Sequence, residues 1–238
     1  MRVAVVTGAS SGIGAALCRT LRERDWYVVG LSRTPASEAD EYEPCDVSDR
    51  AAVDAAAAAV LARHPEVSLL INNAGVSARG LFIDAAPDAI EAAIETNYLG
   101  SVWCLRAFLP GLADGSRVVN IVSVAGMVAI GPYSAAKHAQ LAFSRSVAVE
   151  LAPRGISVLT VTPGFVETPG FPQRTRFRFP LRLLIVDPPF VATRILDSLE
   201  KGRREIVVPR WYRPAALSQA LAPSLVARAR TRLGIHDL

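Results

Sequence analysis

Short β-branched runs alternate with longer segments of helical period from the first residues to about residue 208. The strand candidates are Val3–Thr7, Tyr27–Leu31, Tyr42–Cys45, Ser68–Asn72, Arg117–Ser123, Ser157–Thr162 and Glu205–Val208. Between them the apolar positions recur at helical spacing over Ile13–Arg24, Asp49–Arg63, Pro87–Phe108, Pro132–Leu151 and Pro189–Glu200. The strands are nearly continuous apolar runs, and the alternation predicts an α/β fold. It is a doubly wound, seven-stranded parallel sheet with helices on both faces, joined by right-handed crossovers. Pro153 cannot continue the helix before it, and Gly155 supplies the turn into the next strand. About ten residues separate the second and third strands, so the helix between them is short or absent. Ala55–Ala59 is low in complexity but reads as helix, alanine being the best helix former. There is no internal repeat.

Composition narrows the setting. At 238 residues, 51% of them hydrophobic, the chain suits one large domain with a packed core. Residues 1–208 read as that domain and 209–238 as a basic C-terminal tail. Met1-Arg2 leads directly into the strand-like Val3–Val6 without a secretory leader, and the best apolar stretch, Val118–Ile130, is too short to span a bilayer. Cys18, Cys45 and Cys104 are scattered and read as reduced thiols of a cytoplasmic protein. His64, His138 and His236 are equally dispersed, so no metal site is expected. Charge is uneven: residues 1–173 carry 13 basic and 17 acidic side chains, residues 174–238 carry 13 and 5. A basic end can attract phosphate, anionic lipid or an acidic substrate, or simply be a solvated surface.

Three motifs carry chemistry. Gly8, Ser10, Ser11, Gly12, Ile13 and Gly14 lie directly after the first strand and open a helix. Glycines let the backbone approach a pyrophosphate, and the free N–H groups of the helix start attract its charge. The second strand ends in Ser32-Arg33, where an NAD site places a carboxylate for the ribose 2′-OH. Serine and arginine can hold a 2′-phosphate instead, which favours NADP over NAD. Tyr133 and Lys137 are four apart, so on a helix the phenol and the ammonium share a face. Lowering a phenol by ~3 pKa units takes about 4 kcal/mol, within reach of a partly desolvated pair. The chain has 24 arginines and only two lysines, so a lysine at this position suggests a need for a compact ammonium.

Taken together, and with further segments in the right order, these residues resemble the short-chain dehydrogenase/reductase family, single-domain type, over roughly residues 1–168. Asp46-Val47 matches the pair that meets the adenine. Asn72, Asn73, Ala74 and Gly75 match the segment that ends the fourth strand. Asn97, Ser123, Tyr133 and Lys137 match the family's catalytic asparagine, serine, tyrosine and lysine, and Pro163, Gly164 and Thr168 match the stretch beside the nicotinamide. One departure is the Ser123–Tyr133 spacing of ten positions, a couple fewer than usual. The loop Val124–Pro132, with Gly126 and Gly131, must therefore be tighter, and Ser134 is the substitute if Ser123 is displaced.

The resemblance implies a Rossmann-like fold and an oxidoreductase moving a hydride between nicotinamide and a carbonyl or secondary alcohol. Tyr133 is then the acid/base and Ser123 binds the substrate oxygen. Lys137 lowers the tyrosine pKa and holds the nicotinamide ribose, and Asn97 keeps a water beside Lys137. Residues 166–188 correspond to the family's substrate lid. Their alternating phenylalanines and arginines read either as an apolar pocket with a cationic rim or as phenylalanines packing the lid down under solvated arginines. In the tail, Leu217, Leu221, Leu225 and Val226 among basic residues fit packing on the body or on a partner subunit better than on a membrane, and Pro223 interrupts a single helix. The family analogy implies a homodimer or homotetramer. A rival reading is a non-catalytic NADP-binding sensor or scaffold of the same fold; nucleic-acid binding lacks any motif.

Overall fold

Val3–Thr7 forms β1 at the centre of the sheet, since its run Val-Ala-Val-Val-Thr offers no face to solvent and all five residues are buried. Successive side chains point to opposite faces. Val3 and Val5 enter one core while Ala4 and Val6 enter the other. The computed structural model describes residues 1–233 apart from 79–80, 130, 176 and 178. Around β1 stand β2 (Tyr27–Ser32), β3 (Glu41–Pro44), β4 (Leu69–Asn72), β5 (Arg117–Ile121), β6 (Ser157–Pro163) and β7 (Glu205–Val208). Their order is β3-β2-β1-β4-β5-β6-β7, and every pair is parallel. The chain winds outward to β3, returns past β1 to β4, and then winds the other way. The switch between β1 and β4 opens a crevice at the carboxyl ends of the strands, where such sheets bind ligands.

Helices α1 (Gly12–Arg22) and α6 (Pro188–Glu200) close one core, with Leu17, Leu21, Ile195 and Leu196 buried beneath them. The other face carries α2 (Arg50–Arg63), α4 (Gly100–Phe108) and α5 (Gly131–Leu151), which bury Val53, Val60, Phe108 and Val147. Asp49 accepts hydrogen bonds from the amides of Ala51 and Ala52 and so caps α2. Phe108 is among the largest fully buried side chains; truncating such a residue costs about 3–5 kcal/mol. Between β2 and β3 there is no helix, as the short connection required.

Two departures from the periodicity bear on the site. The helix expected over 87–108 is interrupted: α3 (Pro87–Ile94) passes through a wider π-type turn at Glu95–Leu99 before α4 begins. The cause is Asn97, whose Nδ2 donates to the Ala93 carbonyl at 2.9 Å and so competes with the regular backbone bond there. The fifth strand ends at Ile121, two residues early. Ser123 turns the chain, its hydroxyl accepting from the Ala125 amide at 3.1 Å.

A chain of buried polar side chains crosses the second core and links the sheet to the site. Asn72 Nδ2 donates to Asn120 Oδ1 (2.9 Å), Asn120 Nδ2 to Ser144 Oγ (2.9 Å), and Ser144 shares a hydrogen with Thr160 (2.7 Å). Asn72 also reaches the Ser101 carbonyl at 3.5 Å, and the Ser101 hydroxyl accepts from Gln140 Nε2 at 2.7 Å. Each of these groups has lost its water, so each depends on its neighbour. Asn120→Ala removes one partner each from the Asn72 amide and the Ser144 hydroxyl. The expected loss is about 1–3 kcal/mol in urea unfolding. An unchanged midpoint would show that the bonds contribute nothing net.

Candidate active site

The glycine-rich turn is built by close approach. Gly8 and Gly12 have positive φ (64° and 56°), and a Cβ on Gly8 would stand 2.8 Å from the Ala74 backbone. Gly14 packs α1 onto the turn, leaving 2.1 Å between an added Cβ and the Gly8 carbonyl oxygen. Thr7 Oγ1 accepts from the amides of both Asn73 and Ala74 at 3.0 Å, and Asn73 Nδ2 donates to the Thr7 and Gly8 carbonyls. The loop after β4 is thereby clamped to the turn. Ser11 precedes α1 in extended conformation without a side-chain cap, and the first turn holds no acidic residue. The helix start thus presents backbone N–H groups to an anion.

Across the crevice, α5 carries Tyr133 and Lys137. Tyr133 is half-buried and lines the same cavity as Ser123, whose hydroxyl acts on the phenol, so the tight 124–132 loop still brings the two residues to one site. Ser134, the substitute, turns away: its hydroxyl donates to the Ala125 carbonyl at 2.6 Å, with Val128 O beside it, and so ties the loop to α5. Burial pushes the Tyr133 phenol up to about 12, opposed by the Ser123 hydroxyl. Lys137 is 3% exposed and burial pulls it down to about 7. Its ammonium donates to Ile121 O at 3.1 Å and Gln140 Oε1 at 2.8 Å, and lies 5.9 Å from the Tyr133 ring centroid. In the chain by itself, then, Ser123 and not Lys137 counters the upward push on the phenol.

All the expected site residues except Gly14 and Asn97 line one cavity of about 510 Å³. Gly14 lies under the turn. Asn97 is fully buried behind the wall, where Nδ2 donates to Val76 O (2.9 Å) and Oδ1 accepts from Val76 N (3.2 Å). It therefore fixes the Gly75–Val76 backbone. A Cβ on Gly75 would stand 2.8 Å from Asn97 Oδ1 and 3.8 Å from Lys137 Nζ. At the far end, Ser32 is buried and donates to Thr34 O at 2.6 Å, while Arg33 is exposed and 3.9 Å from Asp46. Asp46 also accepts from the Ser48 amide and hydroxyl. Val47 packs on Gly100.

The lid segment leaves β6 and returns where Val166 bridges Val186. Phe171 faces Tyr133 with ring centroids 5.7 Å apart, and Phe177 packs on Phe165 at 4.6 Å. Phe179 is 82% exposed, and Arg174 pairs with Asp187 at 2.9 Å. One phenylalanine thus reaches the pocket, one packs the lid down and one faces water. Arg176 and Arg178, the side chain of Arg230 and the tail beyond residue 233, with His236, lie outside the described residues. In the tail, Tyr212 stacks on Gly164, where an added Cβ would meet its ring at 2.1 Å. Its hydroxyl donates to Leu184 O at 3.1 Å. Helices α7 (Arg213–Leu221) and α8 (Pro223–Leu233) follow, with Leu217, Leu221 and Leu225 exposed and the break at Pro223.

Sequence reasoning assigned no site role to Gln173 or Tyr212, both of which line the cavity; Phe171, which also lines it, follows the first of the two lid readings. The glycine beside a proline at 163–164 was a usable signal for Tyr212, because it marks a place where something packs on the backbone. Among the described residues no group of His, Cys, Asp or Glu could hold a metal, and no helix is long and apolar enough to cross a membrane. The three cysteines are free and buried, and desolvation pushes Cys18 up to about 12 and Cys45 to about 11.

The family model described as short chain dehydrogenase matches residues 2–178. Over 182 residues the chain is 36% identical to the 3-oxoacyl-acyl-carrier-protein reductase FabG of Escherichia coli, covering 70% of this chain and 74% of that protein. It is 33% identical over 189 residues to dehydrogenase/reductase SDR family member 7B of Rattus norvegicus, covering 70% of this chain and 58% of the relative. A short chain dehydrogenase from Burkholderia cenocepacia, solved in complex with NADP, superposes with a TM-score of 0.82 at 30% identity. That match covers 97% of this chain and 99% of the other.

The packing at the glycine turn has a direct consequence. Gly14→Ala sets a methyl against a backbone oxygen that cannot rotate away, so the turn must open. A destabilisation of about 1–3 kcal/mol is expected in urea unfolding, the range for overpacked cores. Gly170→Ala, with nothing within 4 Å of its Cβ, is the control and is expected to leave stability unchanged.

Proposed function

The chain belongs to the short-chain dehydrogenase family, and from that premise we propose that it is an NADP-dependent oxidoreductase acting on a carbonyl or secondary alcohol of a largely apolar substrate. The observation that carries the reading is the meeting of Ser123, Tyr133 and Lys137 in the cavity that also holds the glycine turn. The residues fit the dinucleotide: glycines replace side chains where a pyrophosphate must approach, and the start of α1 presents its N–H groups. When bound, the dinucleotide supplies the hydride donor or acceptor.

The chain's own residues do the rest. Tyr133 gives its proton to the carbonyl oxygen, and its burial keeps it in the acid form that reduction needs. Ser123 hydrogen-bonds the same oxygen and stabilises the charge that develops on it. Lys137 would hold the nicotinamide ribose, and its positive charge stabilises the phenolate that Tyr133 becomes on giving up its proton. Asn97 fixes the Gly75–Val76 backbone, part of the wall that would hold the cofactor. Ser32 and Arg33 favour NADP, because no carboxylate of the second strand's end stands where it would repel a 2′-phosphate. Ketone reduction also fits the similarity to FabG, whose name states reduction of an oxoacyl group. By family analogy the active unit is a homodimer or homotetramer.

Fluorescence titration with NADPH and NADH comes first. NADPH is expected to bind more tightly, and Arg33→Ala to weaken it by roughly 10- to 100-fold while leaving NADH unchanged, the loss of one charge-assisted contact. Tyr133→Phe is expected to lower turnover by about 10²–10⁴-fold with NADPH affinity intact. Unchanged function in that variant means a sensor and not an enzyme. Lys137 adds a pH dependence. With its ammonium near 7 in the chain alone, anionic dinucleotide favours the protonated form and raises its pKa. NADPH affinity is therefore full below pH 7 and falls as pH rises through it, by up to tenfold per unit of pKa recovered. Titrations at pH 6 and pH 9 check this, and Lys137→Met must flatten the difference.

A further inference from the structure

The described residues contain two buried side-chain polar atoms without a hydrogen-bond partner: Asn72 Oδ1 and Gln173 Oε1. The second belongs to a side chain that borders the site, the oxygen itself being enclosed. Gln173 is 8% exposed and borders the cavity together with Tyr133 and Phe171. A buried amide oxygen without a partner forfeits its hydration for nothing, so native structures keep such atoms only where something serves them. Packing does not account for its presence, since a leucine would fill similar space without a polar atom to strand.

The backbone around Gln173 is fixed from both sides. Its N–H donates to the Glu167 carboxylate at 2.8 Å, as does that of Arg174 at 2.7 Å, and its carbonyl accepts from the Phe177 amide at 3.0 Å. These two amide bonds hold the Glu167 carboxyl below the usual carboxylate range. Two residues earlier, Phe171 lies against the Tyr133 ring at 5.7 Å. The segment therefore enters the cavity on the phenol's side and carries first an aromatic wall, then an amide. Resting on the oxidoreductase reading above, we propose that Gln173 determines substrate specificity by hydrogen-bonding a second polar group of the substrate. The substrate class is then a carbonyl compound with an apolar body and a hydroxyl remote from the reacting carbon. A hydroxyl can donate to the amide oxygen or accept from the amide nitrogen, so it serves either orientation of the side chain.

The test compares NADPH-dependent reduction of benzylacetone with that of its ortho-, meta- and para-hydroxy derivatives, by wild type and by Gln173→Leu. The expected result is a wild-type preference in kcat/KM of roughly tenfold or more for at least one hydroxylated ketone. Gln173→Leu should erase that preference, lowering kcat/KM for the hydroxylated ketone far more than for benzylacetone, because a site built to bond a hydroxyl discriminates against its absence. A wild type that reduces all four ketones equally overturns the inference and leaves the oxidoreductase reading standing. Equal losses on every ketone in the variant overturn it in favour of a structural role, with Gln173→Asn and thermal unfolding as companions. A loss of NADPH affinity with the ketone ratio unchanged assigns Gln173 to the cofactor and overturns it too. A wild type that binds NADPH and reduces none of a broad ketone panel sinks the oxidoreductase reading itself.

Discussion

A lysine ammonium held in the protein interior is the constraint around which the site is arranged. Lys137 stands at the floor of the cavity with almost no exposure, where burial disfavours the cation and pulls its pKa down to about 7. The fold meets that cost with the Ile121 carbonyl at the end of β5 and the Gln140 side chain one turn along α5. Both partners demand closeness. The Val124–Gly126 turn must sit directly on α5, and Gly126 allows it: an added Cβ there would stand 2.7 Å from the Lys137 carbonyl oxygen. The short loop before Tyr133 thus goes with close packing of α5 on the carboxyl end of β5.

Gln140 carries the same constraint into the core. Having accepted from Lys137, its amide must place two N–H groups, and Ser101 on α4 takes one. Ser101 in turn is reached by Asn72 on β4, which bonds Asn120 on β5, and from there the chain runs to Ser144 and Thr160. Asparagines inside the central strands of a buried sheet are unfavourable alone. Here they carry the polar groups of one wall to those of the next, so strands β4 to β6 and helices α4 and α5 are held in one register. Rigid elements hold reacting groups more accurately than loops do, and the catalytic side of this cavity is supported almost entirely by such elements.

The opposite side follows a different rule, and it was the more legible one. A glycine turn between strand and helix is a local statement: φ above zero at Gly8 and Gly12 and missing Cβ atoms can be read along the chain. The same holds for the Tyr133–Lys137 spacing, since residues four apart share a helix face wherever the helix goes. The parallel sheet was legible because its strands are apolar on both sides. What escaped reading depended on partners distant in sequence. The amide of Asn97 that disturbs the helix at Ala93 also pairs with Val76, 21 positions away. Ser134 looked like a substitute for Ser123 until the loop's own carbonyls claimed its hydroxyl. Tyr212 meets Gly164 only because β7 ends beside β6 and turns the tail back over the lid.

That last contact shows how the two readings of the lid divide. Phe177 and Tyr212 flank Phe165 and hold the lid to the body as packing residues, with ring centroids at 4.6 and 5.8 Å. Phe171 and Gln173 lie on the same segment, yet they line the cavity. Glu167 is the element that separates the two sets. By accepting from two successive amides it bends the chain just after Thr168, whose hydroxyl accepts from the Phe171 amide and whose methyl rests near Gly12. The lid is therefore tied to the glycine turn at one end and to the tail at the other.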